Sequence, residues 1–287
     1  MSPRQVLRRL VEQKAGVVIP GAYDGVSAKL VERAGFPAVY MTGYGTSASR
    51  LGLPDLGFAG LAEMADHARN MAAAVEIPLI ADADTGYGNA LSVRRTVAAY
   101  EAAGVAALHI EDQVAPKRCG HLSGHQVIPG GEFAGKIRAA AEARRDPDLL
   151  IIARTDAISA VGIDEALRRG EAATKAGADV LFIEAPESVD EIARIPQLLP
   201  QPLVINLVLG GATPILDRSA LAAMNYAVVL YANAALQGAL YGMQTALRRL
   251  RETGRLDESA PVASFSERQR LVGKPLFDAL EQKYGGE

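Results

Sequence analysis

Eight short apolar runs recur along this chain, each followed by a longer segment of helical period, and each pair occupies roughly 25 to 40 residues, the size of one strand–helix unit. The runs are Val17–Pro20, Ala38–Met41, Pro78–Ala81, Ala106–Glu111, Leu149–Ala153, Val180–Glu184, Leu203–Asn206 and Ala227–Tyr231. Helical spacing fills the intervals at Asp24–Ala34, Leu61–Val75, Ser92–Ala103, Gly131–Arg144, Asp164–Ala176 and Ser219–Met224. Three of these close on an Ala-Gly pair, at Gly35, Gly104 and Gly177, just before the next run, where a helix has to stop. Eight alternating units favour an α/β fold of the (β/α)8 TIM-barrel type over an open doubly wound sheet, and no Gly-x-Gly-x-x-Gly follows the first run to argue otherwise.

Composition narrows the function classes. The chain has 287 residues, 49% hydrophobic and 22% charged, with a net charge of −3, which suits a globular protein with a large core. Basic residues are scattered among acids, so no nucleic acid partner is expected, and no run of about 18 apolar residues suggests a membrane span. Met1–Lys14 reads as an amphipathic helix carrying Arg4, Arg8 and Arg9, without the apolar centre of a signal peptide. The single cysteine, Cys119, cannot form an internal disulfide, which fits a reducing, cytoplasmic location.

In a barrel the chemistry belongs at the carboxyl ends of the strands, and there the chain is polar. The second run leads into Thr42-Gly43-Tyr44-Gly45-Thr46, the third into Asp82-Ala83-Asp84-Thr85-Gly86-Tyr87-Gly88, and the fourth into Glu111-Asp112-Gln113. Later runs continue to Arg154-Thr155-Asp156, Glu184 and Asn206. Carboxylates on strands three, four and six would meet at one mouth and repel one another unless a cation lies between them. Asp82 and Asp84, two apart on an extended strand end, point the same way and suit a hard cation, Mg²⁺ before Mn²⁺; a helix cap with a turn is the alternative. The histidines His67, His109, His121 and His125 have no zinc-site spacing, and His67 and His125 read as a surface helix residue and a loop residue. Cys119 lies within two residues of Lys117, Arg118 and His121, neighbours that lower a thiol pKa, so a reactive thiol competes with an inert loop cysteine. The Met and Tyr residues of Tyr231–Met243 read as packing, and Arg248, Arg249 and Arg251 as a solvated helix end.

Three motifs carry a resemblance across essentially the whole chain: Asp82–Gly88, the block His109–Gln113 leading into Lys117-Arg118-Cys119-Gly120-His121, and Ala153–Ala157. The chain resembles the isocitrate lyase and phosphoenolpyruvate mutase superfamily. The Lys-Arg-Cys-Gly-His loop is similar to that of its lyase branch, which includes 2-methylisocitrate and 2,3-dimethylmalate lyases. The resemblance implies a Mg²⁺-bound barrel over residues 1–260 and a helical extension over 261–287, including Ser266–Val272 and Pro275–Tyr284. One helix would be exchanged between partners in a dimer that pairs into a homotetramer. It implies that Asp82 and Asp84 hold the metal with Glu111 in the outer shell, and that Asp55 orders the same site. Cys119 would be catalytic, together with Tyr44, Lys117 and His121. Thr42, Gly43, Tyr44, Asp55, Gly120, Arg154, Glu184 and Asn206 would bind a small dicarboxylate, with Arg154 pairing to a carboxylate.

The implied reaction cleaves a carbon–carbon bond of a 2-hydroxy di- or tricarboxylate to an α-keto acid and a carboxylate through an enediolate. Cys119 would supply the proton to carbon, and Tyr40 or Tyr44 would serve as the hydroxyl base. The loop would close over substrate, with Gly120, Gly124 and the pair Gly130-Gly131 as hinges. The chain departs from 2-methylisocitrate lyases after strand seven, where Leu209 stands in place of an acid. After strand eight it has Ala232-Asn233-Ala234 and Gln237, without the expected arginine. A third substrate carboxylate would be left unpaired, which favours an alkylmalate. The alternatives are oxaloacetate hydrolysis or decarboxylation, phosphonopyruvate-type mutase or hydrolase chemistry, and a non-catalytic metabolite-binding barrel.

Overall fold

Strands that are buried on both faces must be apolar along their whole length, and the eight runs meet that requirement by forming a closed parallel barrel. The computed structural model describes residues 1–120, 124–257 and 259–285. The strands are β1 (Val17–Ala22), β2 (Val39–Met41), β3 (Leu79–Asp82), β4 (Ala107–Glu111), β5 (Leu150–Thr155), β6 (Val180–Ile183), β7 (Leu203–Asn206) and β8 (Val228–Tyr231). They pair in sequence order, and β8 closes against β1 with Val17 opposite Val228.

Alternation along each strand divides the core in two. Ile19, Tyr40, Ile80, Phe182, Val204 and Leu230 point inward and fill the barrel. Met41, Leu108, Ile151, Ile183 and Val229 point outward into the layer beneath the helices. The helices are α1 (Pro3–Glu12), α2 (Gly25–Arg33), α3 (Gly43–Leu51), α4 (Leu61–Ala74), α5 (Ala90–Ala102), α6 (Gly130–Ala143), α7 (Ala157–Val161), α8 (Ile163–Lys175), α9 (Val189–Leu198), α10 (Arg218–Ala223), α11 (Ala234–Thr253), α12 (Phe265–Leu271) and α13 (Lys274–Tyr284).

Helix α1 starts at a Ser2–Gln5 capping box and places Leu7 and Val11 in the inner core, so it stoppers the amino-terminal end of the barrel. Its polar face is tied down as well. Arg4 reaches Asp146 Oδ2 at 2.7 Å and the Glu101 carbonyl at 2.8 Å, and Arg8 donates to the Pro147 carbonyl at 2.6 Å.

Two expectations are corrected. His67 is buried in α4, where its ring pairs with the Tyr23 carbonyl at 2.8 Å; a lone polar residue on a helix gave no sign of which neighbouring loop would cover it. Tyr241 and Met243 do not pack against the described residues of the chain: they are 75% and 50% exposed on α11, because no described element covers that face. His125 is a loop residue as expected, yet buried, with its Nε2 2.9 Å from the Asp156 carbonyl.

One buried ion pair joins the layers at the carboxyl end. Asp112, just after β4, accepts from Arg169 of α8 at 2.9 Å, from the Thr155 hydroxyl at 2.6 Å and from the Asp156 N–H at 2.9 Å. Arg169 also donates to the Ile128 carbonyl at 2.8 Å. Asp112→Ala would leave a buried guanidinium short of its partner, and a loss of about 3–5 kcal/mol is expected in urea unfolding. A change below about 1 kcal/mol would mean that the pair does not anchor this end of the barrel.

Candidate active site

Asp82 ends β3 with its carboxylate already fixed by backbone. Oδ2 accepts the Gly43 N–H at 3.1 Å and Oδ1 accepts the Asp84 N–H at 2.9 Å. Position 43 has to be glycine for this approach, since a Cβ there would stand 2.3 Å from Asp82 Oδ2. The chain then turns through Asp84 and Gly86, both with positive φ, and Lys136 of α6 donates to the Thr85 carbonyl at 3.1 Å to hold the turn. Lys117 is buried between two acids, its Nζ 2.7 Å from Asp84 and 2.6 Å from Asp55.

Beneath Asp82 lies His109, with Nε2 2.7 Å from the Tyr40 hydroxyl and 3.4 Å from Asp82 Oδ1. The ring stacks on Tyr40 and meets Phe182 edge-on. Burial pushes His109 down to about 4, so it is neutral at pH 7. Burial, reinforced by Asp82, pushes the Tyr40 phenol well above its ordinary value and keeps it protonated.

Arg154, at the end of β5, is enclosed by carboxylates. Its fork meets Asp156 at 2.8 and 3.2 Å, with Glu184 at 3.2 Å and Glu111 at 3.5 Å, and its guanidinium lies over the Phe182 ring. Asn206 donates to Glu184 at 3.3 Å. The expected substrate partner Arg154 therefore already has three protein partners. Asp156 was legible only as part of a motif, although its two-residue spacing from Arg154 puts both on one face of an extended segment.

Taken together, Asp55, Asp82, Asp84, Glu111, Asp156 and Glu184 surround, among the described residues, two buried cations, Lys117 and Arg154. The imbalance appears in the titration of the acids. Burial would raise Asp82, but His109, Lys117, Arg154 and the Asp84 N–H outweigh it and hold the carboxyl at about 2. Burial, then Asp82 and Asp55, push Asp84 up to about 6, and burial with Asp156 and Asp82 nearby raises Glu111 well above the carboxylate range. Burial opposes the Lys117 ammonium, yet Asp84, Glu111, Asp82 and Asp55 keep it charged.

Over this floor lies the segment Lys117–Gly120. Gln113 pins it from both sides, donating to the Arg118 carbonyl and accepting the Arg118 N–H, each at 2.8 Å. Gly120 rests so close to the ion cluster that a Cβ would stand 2.2 Å from Asp156 Oδ1. Half-buried Cys119 shares a cavity of about 50 Å³ with Tyr44, Asp82, Arg154, Asn206 and Asn233. His121 lies outside the described residues. Thr42 caps α3, while Leu209 is 65% exposed in the turn after β7.

Among the described residues no group of three or more His, Cys, Asp or Glu side chains forms a ready metal cage. The donors at Asp82 and Asp84 are nevertheless hard oxygens in a site with an excess of negative charge. That fits Mg²⁺, which takes one or two carboxylates and completes its shell from water and substrate.

Comparison with known proteins agrees with this geometry. The family model for phosphoenolpyruvate phosphomutase matches residues 7–251. The 2,3-dimethylmalate lyase of Eubacterium barkeri is 44% identical over 287 residues, covering 99% of both chains. The structure of oxaloacetate acetylhydrolase in complex with the inhibitor 3,3-difluorooxalacetate superposes with a TM-score of 0.93 at 38% identity, covering 100% of this chain and 98% of that one. Phosphonopyruvate hydrolase in complex with oxalate and Mg²⁺ superposes with a TM-score of 0.90 at 35% identity, covering 100% of both. The carboxylate-ringed barrel mouth and the thiol-bearing segment above it thus belong to a chain that is a member of the phosphoenolpyruvate mutase/isocitrate lyase superfamily.

Proposed function

We propose that the protein is a Mg²⁺-dependent carbon–carbon lyase that cleaves a 2-hydroxy dicarboxylate of the alkylmalate type to an α-keto acid and a carboxylate. The observation that carries this reading is that Cys119 and Asp82 border one cavity inside a ring of acids that outnumber their cations. The 44% identity to a 2,3-dimethylmalate lyase over the full chain supports the substrate class.

Asp82 and Asp84 would hold Mg²⁺, or Mn²⁺, with Glu111 behind them; when bound, the ion polarises the hydroxyl and carboxylate oxygens of the substrate. In the cleavage a base takes the hydroxyl proton, the C–O bond becomes C=O, and the neighbouring carbon–carbon bond breaks. Its electron pair passes to the carbon beside the second carboxylate and gives an enediolate. The Cys119 thiol then gives its proton to that carbon, which releases the carboxylate product. Tyr40, held protonated, serves as a donor, which leaves Tyr44 as the hydroxyl base. Lys117, Thr42, Gly43 and Gly120 position the acids and exclude water, which would otherwise quench the enediolate. Arg154, fixed by Asp156, and Asn206, held by Glu184, complete the polar wall.

Oxaloacetate hydrolysis is the second reading, favoured by the close superposition on oxaloacetate acetylhydrolase. Cys119→Ser separates the two. Cleavage of 2,3-dialkylmalates is expected to fall about 10²–10⁴-fold with an unchanged melting temperature, the size of a lost general acid. Full cleavage activity in that variant would refute the assignment of Cys119. Treatment with EDTA should abolish turnover and added Mg²⁺ should restore it, as followed by α-keto acid release; unchanged turnover in EDTA would remove the metal from the scheme.

The segment 261–287 would be the element exchanged between subunits. No residue of α13 is buried, and Phe265, Leu276, Phe277 and Tyr284 are each more than 60% exposed, an apolar face that a partner subunit would cover. Light scattering should give a tetramer for the full chain and a smaller species for residues 1–260; a monomeric full chain would overturn the assembly.

A further inference from the structure

The charged groups at the mouth are unevenly placed. Arg154, Asp156, Glu184 and Glu111 cluster on the β4–β6 side. On the β8–β2 side the strand ends give the cavity Thr42, Tyr44, Ala232 and Asn233, joined by Val208 after β7, and none of these carries a carboxylate, ammonium or guanidinium group; Lys117 and Arg118, which also line the cavity, come from the segment after β4, and Lys117 is paired with Asp55 and Asp84.

Asn233 is held in one orientation there. Thr42 is buried, its hydroxyl oxygen accepts the Gly45 N–H at 3.2 Å, and its own proton needs an acceptor away from water. The acceptor is Asn233 Oδ1 at 3.2 Å. This turns the amide oxygen toward Thr42 and leaves the Nδ2 group as the donor on the other side, with no hydrogen bond to any described residue. Asn233 also stands at the N-cap of α11, where asparagine ordinarily accepts a backbone N–H, and it makes no such bond.

We propose that Asn233 is a specificity-determining residue whose Nδ2 group donates to the substrate carboxylate lying away from Arg154, while Val208 and Ala232 receive an adjoining alkyl substituent. The inference rests on the dicarboxylate reading above. A neutral donor admits one carboxylate at this side, and a further carboxylate would find no cation among the strand-end residues described there. An aspartate at 233 keeps the acceptor for Thr42 and replaces the donor with a negative charge. It should therefore repel a carboxylate and accept an amide.

The test is calorimetric binding, with Mg²⁺ present, of 2,3-dimethylsuccinate and of its half-amide to the native protein and to Asn233→Asp. Neither probe carries the hydroxyl needed for cleavage, so the result does not depend on turnover. The diacid should bind the variant at least ~30-fold more weakly, while the half-amide changes by less than ~3-fold, as like charges a few ångströms apart dictate. An equal loss for both probes, or none for either, overturns the assignment of Asn233 alone. Failure of the native protein to bind either probe overturns the dicarboxylate reading and this inference with it.

Discussion

The site depends on carboxylates being crowded, out of water, around too few positive charges. Lys117 and Arg154 each touch more than one acid, and burial and neighbouring carboxylates push Asp84 and Glu111 the other way. Such a cluster is costly unless it is held rigidly and completed by further positive charge. The surrounding structure supplies the rigidity. Backbone N–H groups of Gly43 and Asp84 grip Asp82, Asp156 grips Arg154, and the Asp112–Arg169 pair grips the backbone of Asp156. A stable barrel therefore carries at its mouth an arrangement that an isolated loop could not hold.

The same crowding explains where the thiol lies. Gly120 has no side chain, so the Lys117–Gly120 segment can descend onto Arg154 and Asp156 and bring Cys119 to the cavity that Asp82 borders. Lys117 inserts from that segment between Asp55 and Asp84. The segment is thus held down by charge as well as by the Gln113 hydrogen bonds.

The strands were legible because a parallel barrel demands apolar residues on both faces, and the eight runs agree with the observed strands to within two residues at either end. The polar strand ends were legible for the same reason: they stand out against that background. Helix α3 was not, because Gly43 and Gly45 in its first turn disfavour helix and are present for close approach to Asp82 and Thr42. Helix α9 carries Pro196 inside it, which masks its period. Among the residues at the barrel mouth, Asp82, Asp84 and Cys119 stood out in the sequence through motif and spacing. The partners of Lys117 and Arg154 were not, because which acids surround a cation depends on how separate loops fold over the mouth. His109 gave no signal for its place under Asp82, since an inward-facing polar residue on an apolar strand looks the same whether it is structural or functional.

The stopper formed by α1 has a consequence for traffic. With Leu7 and Val11 sealing one end and side chains filling the interior, the cylinder formed by the described residues opens at its other end, beneath Cys119. A molecule split in two inside it must leave as two fragments through the same opening. Two fragments seated one below the other would therefore depart in sequence, the shallower first.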